Sequence, residues 1–210
     1  MPNVNKVTNL LEQAYPTAKC ELNYTTTFEL LVAVILSAQC TDKRVNEVTK
    51  TLFSIASTPL SFAQMEQHVL EKLIFSCGFY RNKAKNIISA SKAIVEKHNG
   101  EVPQDFNELL ALPGVGRKTA NVMSAEAFNK QAIAVDTHVF RTSNRLGLAK
   151  GKTPYEVEMQ LRQVLPKDKY TRMHHLLIFH GRYTCKSQNP DCKNCTLYDY
   201  CVYENKKNKD

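Results

Sequence analysis

Apolar residues recur about every three to four positions along almost the whole chain, the period of helices that bury one face. Between residues 28 and 36 the pattern thickens: Phe28, Leu30, Leu31, Val32, Val34, Ile35 and Leu36 leave almost no polar side. A helix apolar nearly all round is central and buried. Thr26 and Glu29 stand at the spacing of a capping box and predict its start. Further helices are predicted from Asp42 through Val45, Val48 and Leu52, and from Ser61 through Val69, Leu70 and Leu73. Another follows Asn82, with Ile87, Ile88, Ser91, Ile94 and Val95 on one side and Gly100 past its end. Asp105 opens a short helix ending at Leu112, Pro113-Gly114 breaks it, and the next runs to about Phe128. Asp136 caps one more, and Thr153-Pro154-Tyr155-Glu156 combines N-cap, Pro at N1 and Glu at N3. No alternating stretch is long enough for a sheet, so the expected fold class is all-α.

With 210 residues the chain suits one large domain or two small ones. Its 43% hydrophobic and 23% charged residues are those of a globular protein rather than a disordered one. The 28 Lys and Arg against 20 Asp and Glu give a net charge of +8, which favours a polyanionic partner, nucleic acid first. The longest apolar run, residues 30–36, is far short of the roughly 20 residues a bilayer helix needs. The first residues show no apolar stretch with a cleavage site, so no membrane association is expected and the cytoplasm is the expected compartment. Thiols stay reduced there, so the seven cysteines are not expected to form a disulfide scaffold.

Four of those cysteines, Cys185, Cys192, Cys195 and Cys201, fall within 17 residues. Such density in a reduced protein points to a metal site. Structural zinc is usually held by two short Cys knuckles, and only Cys192 and Cys195 form one. Unequal spacing suits an iron–sulfur cube reached from several directions, and zinc stays open as the alternative. Unrelated thiols or two disulfides are the bland reading. Cys20, Cys40 and Cys77 are scattered and read as small core residues.

The stretch Leu112-Pro113-Gly114-Val115-Gly116-Arg117-Lys118-Thr119-Ala120 joins two helices by a very short turn, and holds two of the seven glycines. Such a turn leads into a helix N-terminus whose free N–H groups suit a phosphate oxygen. Arg117 and Lys118 follow at once, which favours a phosphate contact over a hairpin that binds nothing. Lys118 in the first turn can serve as an amine nucleophile; a solvated or phosphate-binding lysine is the alternative. Asp136 needs no role beyond capping, although a carboxylate near Lys118 could move a proton or stabilise positive charge in a reacting sugar. His138, His174, His175 and His180 receive no role.

Together these segments resemble the endonuclease III family of DNA glycosylase/AP lyases, in the helix-hairpin-helix superfamily. The resemblance runs from Phe28-Glu29-Leu30-Leu31 to Cys201, anchored by Leu36-Ser37-Ala38-Gln39, the hairpin at 112–120, Val135-Asp136-Thr137-His138 and the cysteine spacing. It implies two helical domains: a six-helix domain with the helix-hairpin-helix over residues 20–132, and an iron–sulfur cluster domain built from both termini, residues 1–19 plus 133–210. It implies a [4Fe–4S] cluster on Cys185, Cys192, Cys195 and Cys201. It also implies a bifunctional N-glycosylase/AP lyase of base-excision repair that removes oxidised pyrimidines. Lys118 would attack C1′ of a flipped-out nucleoside and Asp136 would assist; β-elimination from the Schiff base would nick the strand 3′ to the lesion. Gln39 would fill the vacated space, and Gly114, Val115, Gly116 and Arg117 would hold the backbone. Phe79 stands where the family often has an aliphatic wedge, and an aromatic can also intercalate. The 186–191 loop is less basic than is usual in the family. The expected partner is double-stranded DNA with oxidised pyrimidines or abasic sites, met by a monomer associated with the nucleoid.

Two rivals share many of these features. The adenine glycosylase branch has no lysine matching Lys118 and uses a glutamate in the first core helix, where this chain reads Leu30-Leu31-Val32-Ala33-Val34. A non-catalytic, metal-stabilised DNA-binding module would keep the hairpin, the charge and the cysteines, but would leave Lys118 and Asp136 without a purpose.

Overall fold

The computed structural model describes residues 3–206; the first two residues and the last four of the polar tail expected at 205–210 lie outside them. The chain opens with α1 (Val4–Ala14), whose N-cap Asn3 accepts from the Lys6 N–H. It then enters a continuous compact unit, residues 21–129.

In that unit α2 (Thr27–Leu36) starts at the capping box read from the sequence: Thr26 accepts from Glu29 N–H while Glu29 reaches back. Every residue from Phe28 to Leu36 is buried, and α2 packs on α3 (Asp42–Ile55). The single helix expected after Ser61 is two, α4 (Pro59–Ala63) and α5 (Gln67–Leu73). The break has a local cause. Thr58, not Ser61, is the N-cap, with Pro59 at N1, and Glu66 takes an extended conformation that restarts the chain. Both short helices pack on α6 (Tyr80–Lys97), which starts two residues before Asn82. Phe28 and Phe62 meet edge-on at 5.4 Å between centroids. Then come α7 (Phe106–Ala111), capped by Asp105, and α8 (Arg117–Glu126), which packs on α7 and α2.

The other unit combines residues up to Cys20 with those from Lys130 on. Asp136 caps α9 (Thr137–Arg145) and Thr153 caps α10 (Pro154–Val164), both as expected. α11 (Tyr170–Tyr183) packs on α9 and α1. Val7, Leu11, Val139, Leu161, Leu176 and Leu177 share one apolar core. Arg172 on α11 ties down the N-terminal segment, donating to Glu12 at 2.7 and 3.0 Å, to the Ala18 carbonyl at 2.6 Å, and to the Tyr15 and Pro16 carbonyls. The guanidinium holds the Glu12 carboxyl below the usual carboxylate range.

The described residues contain helices and no strand, in keeping with the all-α expectation. The iron–sulfur part of the expected fold class needs correction. Among the described residues, no group of three or more His, Cys, Asp or Glu side chains is arranged to hold a metal ion. The second unit is a helical unit organised by its apolar core.

Candidate functional site

The helix-hairpin-helix is formed by α7, the turn 112–116 and α8. Leu112 N–H donates to Leu109 O and Val115 N–H to Leu112 O, which closes the turn within seven residues of chain. Gly114 has φ +78°, and a Cβ there would lie 2.7 Å from Cβ of Asn86 on α6. Only glycine satisfies both the left-handed conformation and the close approach. Gly116 is the N-cap of α8 and offers no side chain to cap it. Val115 points inward and is buried, so its contribution outward is its backbone. Arg117 lies over the Phe106 ring at 5.4 Å, which holds the guanidinium beside the turn. Lys118 follows, exposed, in the first turn of α8.

Gln39 and Phe79 lie on two further turns of the same unit. Both are non-glycine residues in the left-handed region, with φ 53° and 57°. Gln39 is exposed and Phe79 is 64% exposed. A Cβ on Gly78 would stand 3.5 Å from the Gln39 carbonyl oxygen, so the two turns touch. Phe79 opens α6, and Asn86, seven residues on, meets Gly114. At 1.5 Å rise per residue the wedge candidate and the hairpin contact are about 10 Å apart along one helix.

On the other unit, Asp136 is half-buried and accepts the Val139 N–H at 2.8 Å through Oδ1. Its charge reaches His138 and Arg141. Burial pushes the His138 imidazole below its ordinary value, against the pull of Asp136. Arg141 donates to the Gly181 carbonyl at 2.8 Å and the Cys185 carbonyl at 3.0 Å, and lies 3.2 Å from His138 Nδ1. Gly181 allows this approach: a Cβ there would be 2.9 Å from the His138 Cβ.

A sequence pattern of HhH-GPD superfamily base excision DNA repair proteins matches residues 32–167. Endonuclease III of Bacillus subtilis is 52% identical over 196 residues, covering 93% of this chain and 90% of that protein. Endonuclease III of Rickettsia conorii is 48% identical over 200 residues, 95% of each. A solved structure of a trapped covalent intermediate between an endonuclease III and DNA, an estranged-adenine complex, superimposes with a TM-score of 0.92. It is 48% identical and covers 95% of this chain and 94% of its own. The chain belongs to the endonuclease III family.

The endonuclease III resemblance also carried a [4Fe–4S] expectation, and here the structure corrects it. Cys185, Cys192, Cys195 and Cys201 do line a common cavity, but it measures about 20 Å³, the scale of one water molecule. Cys192 is buried and the other three are partly buried, and two of the thiols make hydrogen bonds. Cys201 donates to the Arg145 carbonyl at 3.2 Å, Cys185 accepts from Arg145 at 3.5 Å, and burial pushes Cys195 up to about 11. Among the described residues, no three of the four are arranged to hold a metal ion. The four cysteines of this chain therefore do not form the expected metal site, and the cluster cofactor and iron–sulfur description do not apply.

Several residues of the site escaped the sequence reading. Asn86 seats Gly114, and nothing in its surroundings along the chain marks it. Arg141 and Arg145 follow Thr137 at four-residue steps on α9, a spacing that could have signalled a basic row. Arg145 donates to the Lys186 carbonyl at 2.8 Å and lies 4.1 Å over the Tyr203 ring, bracing the loop that precedes Cys192.

Proposed function

We propose that Lys118 is the nucleophile and Asp136 its acid/base partner in the reaction of this chain. That reaction is the one of its family: the protein is a bifunctional DNA N-glycosylase/AP lyase of base-excision repair acting on oxidised pyrimidines. Double-stranded DNA is its partner. The damaged nucleoside leaves the stack, because its C1′ is out of reach inside the duplex. The Lys118 amine attacks C1′, the glycosidic bond breaks and the base departs with a proton; the C1′–O4′ bond then opens, O4′ takes a proton, and the nitrogen is left in a Schiff base with the sugar. Loss of a C2′ proton then expels the 3′ phosphate by β-elimination. Asp136 takes or returns protons and stabilises the cationic sugar. The backbone of Gly114, Val115 and Gly116, with Arg117, holds a phosphate; Gln39 fills the gap left by the base and Phe79 enters the stack.

The observation that supports this reading best is Lys118 standing exposed in the first turn of α8, directly after a glycine turn that no side chain caps. We assign residues 20–132 to the domain carrying the hairpin and residues 1–19 plus 133–210 to the second, bounds that differ from those of the compact units by one residue at one end and three at the other. The protein acts as a monomer in the cytoplasm, on the nucleoid, and also on duplexes with abasic sites. No helix of the described residues is long and apolar enough to cross a membrane.

Borohydride reduction of a mixture with duplex containing thymine glycol or an abasic site is expected to trap a covalent protein–DNA adduct. Lys118→Gln is expected to abolish it. An adduct that survives in Lys118→Gln removes the nucleophile assignment, and no adduct from the unaltered protein favours a non-catalytic DNA-binding module.

A further inference from the structure

We propose that Cys40 and Cys77 form an oxidation site, a dithiol that hydroperoxides convert to a disulfide between the two turns bearing Gln39 and Phe79. Sequence alone gave these two cysteines no task beyond filling space. The structure places them against each other, with the Cys77 thiol hydrogen-bonded to Cys40. Each ends a turn that follows a helix: Cys40 N–H donates to Ser37 O at 3.1 Å, and Cys77 N–H to Ile74 O at 2.8 Å. The neighbouring backbone also touches, since a Cβ on Gly78 would be 3.5 Å from the Gln39 carbonyl. The two thiols thus stand side by side on adjoining turns.

The two thiols are unequal. Cys40 is partly exposed, whereas Cys77 is fully buried. Burial pushes the Cys77 thiol up to about 11, so it is protonated at neutral pH. A cation lies beside both. Lys83 is buried, donates to the Leu36 carbonyl at 2.8 Å, and interacts electrostatically with Cys40 and Cys77. Positive charge in that position stabilises the negative charge that develops as sulfur reacts.

These differences set the order of events. Cys40 is the thiol solvent can reach, and its sulfur attacks one oxygen of the peroxide. The O–O bond breaks, a sulfenic acid forms on Cys40, and the leaving hydroxide takes the thiol proton to become water. The Cys77 sulfur then attacks the Cys40 sulfur, the S–O bond breaks, and a second water leaves with the Cys77 proton. Two thiols have lost two electrons and one peroxide has gained them. The disulfide fixes the distance between two turns that would otherwise adjust separately. Its consequence for DNA rests on the reading of Gln39 and Phe79 given above.

The test uses the full chain treated with hydrogen peroxide, alkylated, digested without reductant and mapped by mass spectrometry. The expected product is a Cys40-to-Cys77 linked peptide pair, lighter than the two thiol peptides by two hydrogen atoms and lost on adding dithiothreitol. It is expected to be absent from Cys40→Ser and Cys77→Ser, with circular dichroism confirming that each variant is folded. Peroxide that leaves Cys40 as sulfinic acid while Cys77 remains alkylatable overturns the proposal, and this result needs no variant. The linked form is expected to bind duplex carrying an abasic-site analogue about tenfold more weakly, with recovery on reduction. Linkage with unchanged affinity overturns the coupling to DNA. Gln39→Ala in the reduced protein separates the causes: if it too leaves affinity unchanged, the DNA role given to that turn has failed, rather than the thiol chemistry.

Discussion

At Gly114 one methyl group is too much. Its φ of +78° and the 2.7 Å approach to Asn86 penalise any L side chain twice, once in the backbone and once in packing. Gly114→Ala is expected to lose about 1–3 kcal/mol of stability, read by chemical denaturation, and to weaken DNA binding with it. His180 makes a different residue-scale prediction. Its burial pushes the imidazole down to about 4, with the Tyr15 hydroxyl 3.3 Å from Nδ1. An unfolded histidine takes its proton near 6.5, so between about pH 6.5 and 4 the unfolded state binds more protons. Stability is then complete above that window and falls as pH drops through it, by on the order of 3 kcal/mol at its foot. Urea unfolding at pH 7 and pH 5 checks this, and His180→Gln is expected to flatten the dependence.

Helix starts are set by neighbouring residues, and they could be read from the chain. Thr26 with Glu29, Asp105, Asp136 and Thr153 all cap where their spacing puts them. Thr26→Ala is expected to cost about 1 kcal/mol, measured by thermal or urea unfolding, because it removes one half of a reciprocal cap. The α4–α5 break was harder to see, since the apolar period continues through Glu66 while the backbone does not. The site divides in the same way. Gly114, Gly116 and Lys118 announce themselves as a rare glycine turn followed by basic residues. Asn86 and Arg141 matter through contacts with residues 28 and 40 positions away, which no local pattern encodes. The cysteines teach the converse: spacing reported that four thiols gather, but could not report whether they form a metal-holding group.

For the molecule as a whole, the charge of +8 makes binding to duplex DNA dependent on salt. Arg117→Ala is expected to weaken binding about equally across sequences and to reduce the slope of log affinity against log salt by about 1, read from titrations at several salt concentrations. The chain path carries a consequence of its own. Residues 21–129 form one unbroken unit, whereas the other unit needs both ends of the polypeptide. Glu12 and Arg172 are separated by 160 positions. A ribosome adding roughly 5–20 residues each second leaves α1 waiting about 8–30 s for its partner. During that interval Val7 and Leu11 lack the α11 side of their core, Leu176 and Leu177, and the nascent chain leaves them open to a chaperone at the exit tunnel.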